Sequence, residues 1–134
     1  MSFINKLKKE FGDEVFTSST KVKAVIPTDS LALDISTGVG GIPTGRFITI
    51  YGPEGTGKTT LAVAIAKNVI KGGGKVLYID VEQTLYDPLV EIMIGKDALG
   101  NTFIPARPAT AEQAFKIAEA SIDSGEFDLI VYDS

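Results

Sequence analysis

The sequence predicts an α/β fold, a mostly parallel sheet flanked by helices, and three observations carry that expectation. Strand-like and helix-like segments alternate from residue 46 to residue 133. The strand-like runs Val76-Leu77-Tyr78-Ile79 and Leu129-Ile130-Val131-Tyr132 are continuously apolar, as strands covered on both faces are. A glycine-rich stretch, Gly52 to Gly57, joins a strand-like run to a helix-like one.

Ile4, Leu7 and Phe11 recur at helical spacing with lysines between them and Gly12 behind them, which predicts a short amphipathic helix. That helix either folds back on the core or docks on a neighbouring subunit. Residues 13–27 are polar and read as a linker, with Val22, Ala24 and Ile26 as a possible strand. Residues 30–36 form a short helix capped by Asp29 or Thr28 and stopped by Gly38, Gly40 and Gly41. Residues 46–51 are a β-rich run bounded by a turn at 43–45. Residues 58–70 form a helix closed by Gly72, Gly73 and Gly74, and 75–80 a buried strand. Helix is expected over 88–94 and strand over 102–104. Thr110, with Gln113 three positions on, opens a helix as a capping box. Ala114, Ile117, Ala118 and Ile122 give that helix its apolar face, Gly125 ends it, and 127–132 form the last strand.

The 134 residues are one domain in size, able to bury a core without metal or disulfide staples. The chain divides into an amino-terminal helix with its linker (1–27) and an α/β core (28–134). It contains no cysteine and no histidine. Thiolate zinc sites and disulfide frameworks are thereby excluded, and acid–base work falls to Asp, Glu, Lys or Tyr. A net charge of −4 argues against nucleic-acid binding by bulk electrostatics, although Lys6, Lys8 and Lys9 cluster near the start. No apolar run approaches a membrane span, so a cytoplasmic protein is expected.

The run Gly52-Pro53-Glu54-Gly55-Thr56-Gly57-Lys58-Thr59 matches G-x-x-x-x-G-K-[ST] in full. Glycines let the backbone bend so that its N–H groups converge on an anion, and the following helix adds its positive end. Lys58 supplies a point charge to the β- and γ-phosphates, and the Thr59 hydroxyl is a ligand for Mg²⁺. Thr60 completes the nucleotide-binding set. The expected cofactors are ATP and Mg²⁺.

Two acids stand at the ends of buried strands. Asp133 follows Leu129-Ile130-Val131-Tyr132 and is the candidate to hold a water on the same Mg²⁺. Glu82 lies just past Ile79-Asp80-Val81, where ligands of parallel sheets gather. There it either orients the water that attacks the γ-phosphate or is a solvated acid at the start of a loop. Asp80 could also serve in that role, although an acid inside the strand end more often braces the loop.

Several runs together resemble the RecA family of DNA recombinases: Leu31-Ala32-Leu33-Asp34, Gly38-Val39-Gly40-Gly41-Ile42-Pro43, and Ile50-Tyr51-Gly52-Pro53-Glu54 leading into the phosphate loop. Tyr78-Ile79-Asp80-Val81-Glu82, Glu112-Gln113-Ala114 and Asp128-Leu129-Ile130-Val131-Tyr132-Asp133-Ser134 extend the likeness. The resemblance implies an ATP-dependent filament on single-stranded DNA that carries out homologous pairing and strand exchange. It implies that Glu82 is the catalytic carboxylate, that Asp87 contacts the nucleotide base, and that the amino-terminal helix packs on an adjacent protomer. Departures are present. One extra residue separates Glu82 from Asp87, Gln83 replaces a usual histidine, and Val90 occupies the place of the adenine-stacking tyrosine, leaving Tyr86 as the candidate for stacking.

In the family the DNA-binding loops follow the Asp133 strand. A later strand there normally lies between the Asp133 strand and the phosphate-loop strand, so these residues alone leave the sheet centre unpaired. The chain is expected to be a fragment of a longer protein or a short protein completed by another chain, and hydrolysis by it alone is expected to be weak or absent. Two other functions compete with the recombinase reading: a RecA-fold ATPase of helicase or clock type, and a non-catalytic fragment that modulates a recombinase filament.

Overall fold

The computed structural model describes residues 2–16 and 22–134. The α/β expectation holds: a parallel three-stranded sheet carries helices on both faces, and a small two-stranded antiparallel sheet stands beside it.

Helix α1 (Phe3–Phe11) is capped by the Ser2 hydroxyl and ends at Gly12, whose φ of 92° continues no helix. It buries none of its residues, and the 3₁₀ turn Asp13–Phe16 is its main neighbour. Among the described residues it is not packed into the core. Of the polar linker, residues 17–21 lie outside the described residues. Strand β1 (Val25–Ile26) pairs antiparallel with β2 (Ile42–Pro43). Gly41 permits this, because a Cβ there would collide with the Ile26 carbonyl.

Helix α2 (Leu31–Ser36) starts one residue later than the sequence suggested. Its cap is Ser30, whose Oγ accepts from the Leu33 N–H, and not Asp29 or Thr28. Those two residues are engaged elsewhere. The Thr28 hydroxyl donates to Asp34 Oδ1 at 2.7 Å, and Asp29 turns toward Lys67 and Asn68.

Helix α3 (Lys58–Lys71), strand β3 (Val76–Asp80), helix α4 (Asp87–Met93), strand β4 (Phe103–Ala106), helix α5 (Ala111–Ser124) and strand β5 (Leu129–Asp133) build the core. The sheet order is β4-β3-β5, all parallel, with Tyr78 opposite Pro105 on one side and Val131 on the other. Every residue of β3 is buried. Side chains alternate across a strand, so Val76 and Tyr78 face α3 and α4 with Val63, Ala66, Val90 and Phe103, while Leu77 and Ile79 face α5 with Ala114 and Ile117. Each fully buried aliphatic side chain contributes about 2 kcal/mol. The predicted capping box forms in part. Thr110 Oγ1 accepts from the Gln113 N–H at 3.1 Å, but Gln113 reaches back to the Ala109 N–H, one residue before the cap.

One predicted strand does not form. Residues 46–51 belong to neither sheet, and Phe47 is 98% exposed. β-Propensity and apolarity favour a strand, but a strand is made by its ladder. The edge of β5 away from β3 has no strand partner among the described residues. A groove of about 770 Å³ is lined by Ile48 and Ile50 of this segment together with Ile130, Tyr132 and Asp133 of β5.

Candidate functional site

The site sits where α3 begins. Gly57 is the N-cap residue of α3 with φ 97°, and no side chain caps the helix. Left-handed backbone at this point is natural to glycine and strained for other residues. An uncapped helix start directs the free N–H groups of its first turn, and the positive end of its dipole, toward loop 52–57. Within that loop the Thr56 hydroxyl donates to the Pro53 carbonyl at 2.7 Å, stiffening the turn that also carries Glu54 and Gly55. Lys58 bends back across the loop, its ammonium donating to the Gly52 carbonyl at 2.7 Å. A flexible cation resting on one exposed carbonyl is free to exchange that bond for a phosphate oxygen.

In the first turn of α3 lies the contact that joins distant parts of the chain. The Thr59 hydroxyl donates to Asp133 Oδ2 at 3.2 Å, and the Tyr78 hydroxyl donates to the same oxygen at 2.7 Å. Thr59 spends its proton on the carboxylate and keeps its lone pairs for a cation. Tyr78 is fully buried, and burial first, then the Asp133 carboxylate, pushes its hydroxyl well above the ordinary tyrosine range. It therefore remains a donor throughout the physiological range.

The register of the sheet assembles the rest. Asp80 pairs with Asp133, and the Val81 N–H donates to the Asp133 carbonyl at 2.9 Å. Glu82, next along, is thereby brought beside Ser134, whose hydroxyl lies 3.5 Å from Glu82 Oε1. Glu82 is exposed and lies just past the carboxyl end of β3. Asp80 is a brace, as its position in the strand suggested: fully buried, it accepts from the Thr84 and Leu85 N–H groups at 3.1 and 3.0 Å.

The donor set suits a polyphosphate carrying a hard cation: bent glycine backbone, an uncapped helix start, one ammonium, one hydroxyl and one carboxylate. Among the described residues no group of three or more His, Cys, Asp or Glu could hold a metal alone. A cation at Thr59 and Asp133 would complete its shell with water and phosphate oxygens, which is the habit of Mg²⁺.

Comparison with known proteins places this geometry in a family. The family model of the RecA N-terminal domain matches residues 2–134. The chain belongs to the RecA family. Among its relatives, Protein RecA of Bifidobacterium breve is 49% identical over 110 residues, covering 82% of this chain and 27% of that protein. Protein RecA of Caldanaerobacter subterraneus subsp. tengcongensis is 43% identical over 136 residues, covering 98% and 39%. Protein RecA of Heliobacterium modesticaldum is 40% identical over 136 residues, covering 98% and 38%. The chain thus spans 27% to 39% of the length of these relatives.

Elsewhere in this RecA-family chain, Tyr86 and Asp87, the two residues the sequence suggested for the nucleotide base, stand at the start of α4. Asp87 is held by Arg107, with Nη2 2.8 Å from Asp87 Oδ1, and Tyr86 is 67% exposed. Val90 is fully buried against α3, so it presents no stacking face. Sequence reasoning passed over two residues. Arg107 reaches Asp87, the Leu85 carbonyl and, at 3.7 Å, Asp80 Oδ2, and nothing local marks it out from a surface arginine. Tyr78 carried a signal: a hydroxyl inside an otherwise hydrocarbon strand must find a partner. Among the described residues no helix is long and apolar enough to cross a membrane.

Proposed function

We propose that this chain is the ATP-binding part of a RecA-type recombinase, a DNA-dependent ATPase that pairs homologous strands on single-stranded DNA in the cytoplasm. Residues 1–27 are its oligomerisation helix and linker, and residues 28–134 the first part of its ATPase core. The exposed apolar stripe of α1, with Phe3, Ile4 and Phe11, is the surface for a second protomer. Single-stranded DNA is engaged through regions outside these residues.

The observation that supports this reading best is the bond from Thr59 to Asp133, which brings the phosphate loop and a distant acidic strand end to one point at an uncapped helix start. Loop 52–57, Lys58, Thr59 and Thr60 would hold the triphosphate of ATP. Thr59 and Asp133 would hold Mg²⁺, which neutralises phosphate charge when bound. Glu82 would orient the attacking water, and Asp87 with Tyr86 would contact the base.

Isothermal calorimetry of the chain with ATP and Mg²⁺ tests the reading. A charge-assisted contact is worth roughly 1.5–3 kcal/mol, so Lys58→Ala is expected to weaken binding by about 10- to 150-fold. Equal affinity in the variant, or no binding by the parent chain, would sink the proposal.

A further inference from the structure

We propose that Tyr78 is a positioning residue for the Mg²⁺ site, its hydroxyl setting the orientation of the Asp133 carboxylate. The proposal rests on the reading of Thr59 and Asp133 as the cation-holding pair and adds a residue that the phosphate-loop and acidic-strand motifs do not include.

Four observations carry it. Tyr78 lies in the central strand β3 with no exposure, so its phenol is placed by the sheet. Its ring is wedged among Val63, Ala66 and Phe103, with the Phe103 ring centroid 5.7 Å away, which leaves the hydroxyl little freedom. Tyr78 stands opposite Val131, and Asp133 is two residues further on the same face, so the ring extends along the strand direction to meet the carboxylate at 2.7 Å. Both hydroxyl donors, from Tyr78 and Thr59, fall on Oδ2, and among the described residues no hydrogen bond is donated to Oδ1. The carboxylate is thus fixed by one oxygen and presents the other.

Phenylalanine would fill the same core volume without a donor. The hydroxyl is therefore not needed for packing, and the proton it carries is donated to Asp133. Groups that hold a metal ligand from behind raise metal affinity by fixing its rotamer before the ion arrives.

Tyr78→Phe separates this role from a structural one. Binding of ATP to the 134-residue chain would be titrated against Mg²⁺, and separately measured in EDTA. The expected result is a rise of about tenfold in the Mg²⁺ concentration for half-maximal binding, with binding in EDTA unchanged. An unchanged Mg²⁺ midpoint overturns the proposal, and so does a parallel loss in EDTA, which would mean general damage. If the parent chain binds ATP with no Mg²⁺ dependence, the cation-pair reading fails and this inference with it. Should the variant not fold, the parent chain still decides by NMR. The Tyr78 hydroxyl proton should shift when Mg²⁺ is added to the ATP-saturated chain, and an unmoved resonance counts against the role.

Discussion

Asp80 sits without exposure at the end of the central strand, where an uncompensated charge would be costly. It is compensated three times: by the Thr84 and Leu85 N–H groups and by the guanidinium of Arg107. Its work is to hold residues 81–85 in a bend at the strand end, with Gln83 at φ 57°. Asp80→Ala strips two backbone donors of a charged acceptor and is expected to cost about 3 kcal/mol. Urea denaturation measures it, and a loss below about 1 kcal/mol would show that the bend holds without the carboxylate.

At the scale of elements, the turn before α2 is tied to α3 by a small polar cluster. Lys67 pairs with Asp29, and Asn68 Nδ2 donates to Asp29 Oδ1 at 3.0 Å and to the Pro27 carbonyl at 2.7 Å. The hydrogen bond from Lys67, followed by that from Asn68, lowers the Asp29 pKa below its ordinary value. A lowered folded-state value stabilises the fold above the unfolded pKa, about 4, and that contribution is lost as pH falls through the folded value. Asp29→Asn isolates the charge, since asparagine also tolerates the φ of 67° found there. The variant should melt lower than the parent at neutral pH, and the gap should close on acidification below about pH 4. A gap that is constant with pH would assign the effect to shape alone. The sequence made this cluster look like a helix cap, because capping and tethering use the same residue types and only the packing of α3 against the turn separates them.

The whole molecule packs most densely around β3 and α3 and is open beside β5. The groove next to β5 carries apolar side chains and reaches Lys58, Thr59 and Asp133, so these residues border a wide, open space. Glu82 is exposed, and its side-chain contact among the described residues is with Ser134. Catalytic electrostatics depend on excluding water and on fixed geometry. Purified chain is therefore expected to turn ATP over at background rate, unaffected by added single-stranded DNA. A phosphate-release assay showing DNA-stimulated turnover would contradict this.

By itself the sequence determined the α/β class, α3 and the glycine-rich loop before it, β3, α5, β5, and the helix ends at Gly12 and Gly125, because periodicity, glycine and capping residues act within a few positions of themselves. Tertiary structure decided the rest. Whether residues 46–51 become a strand depends on a neighbour to complete the ladder, which no local propensity supplies. That Tyr78, Thr59 and Asp133 meet at one oxygen follows from the parallel register of β3 with β5 and the seat of α3 upon them, and a hydrogen bond between residues so far apart in the chain exists only after both are packed.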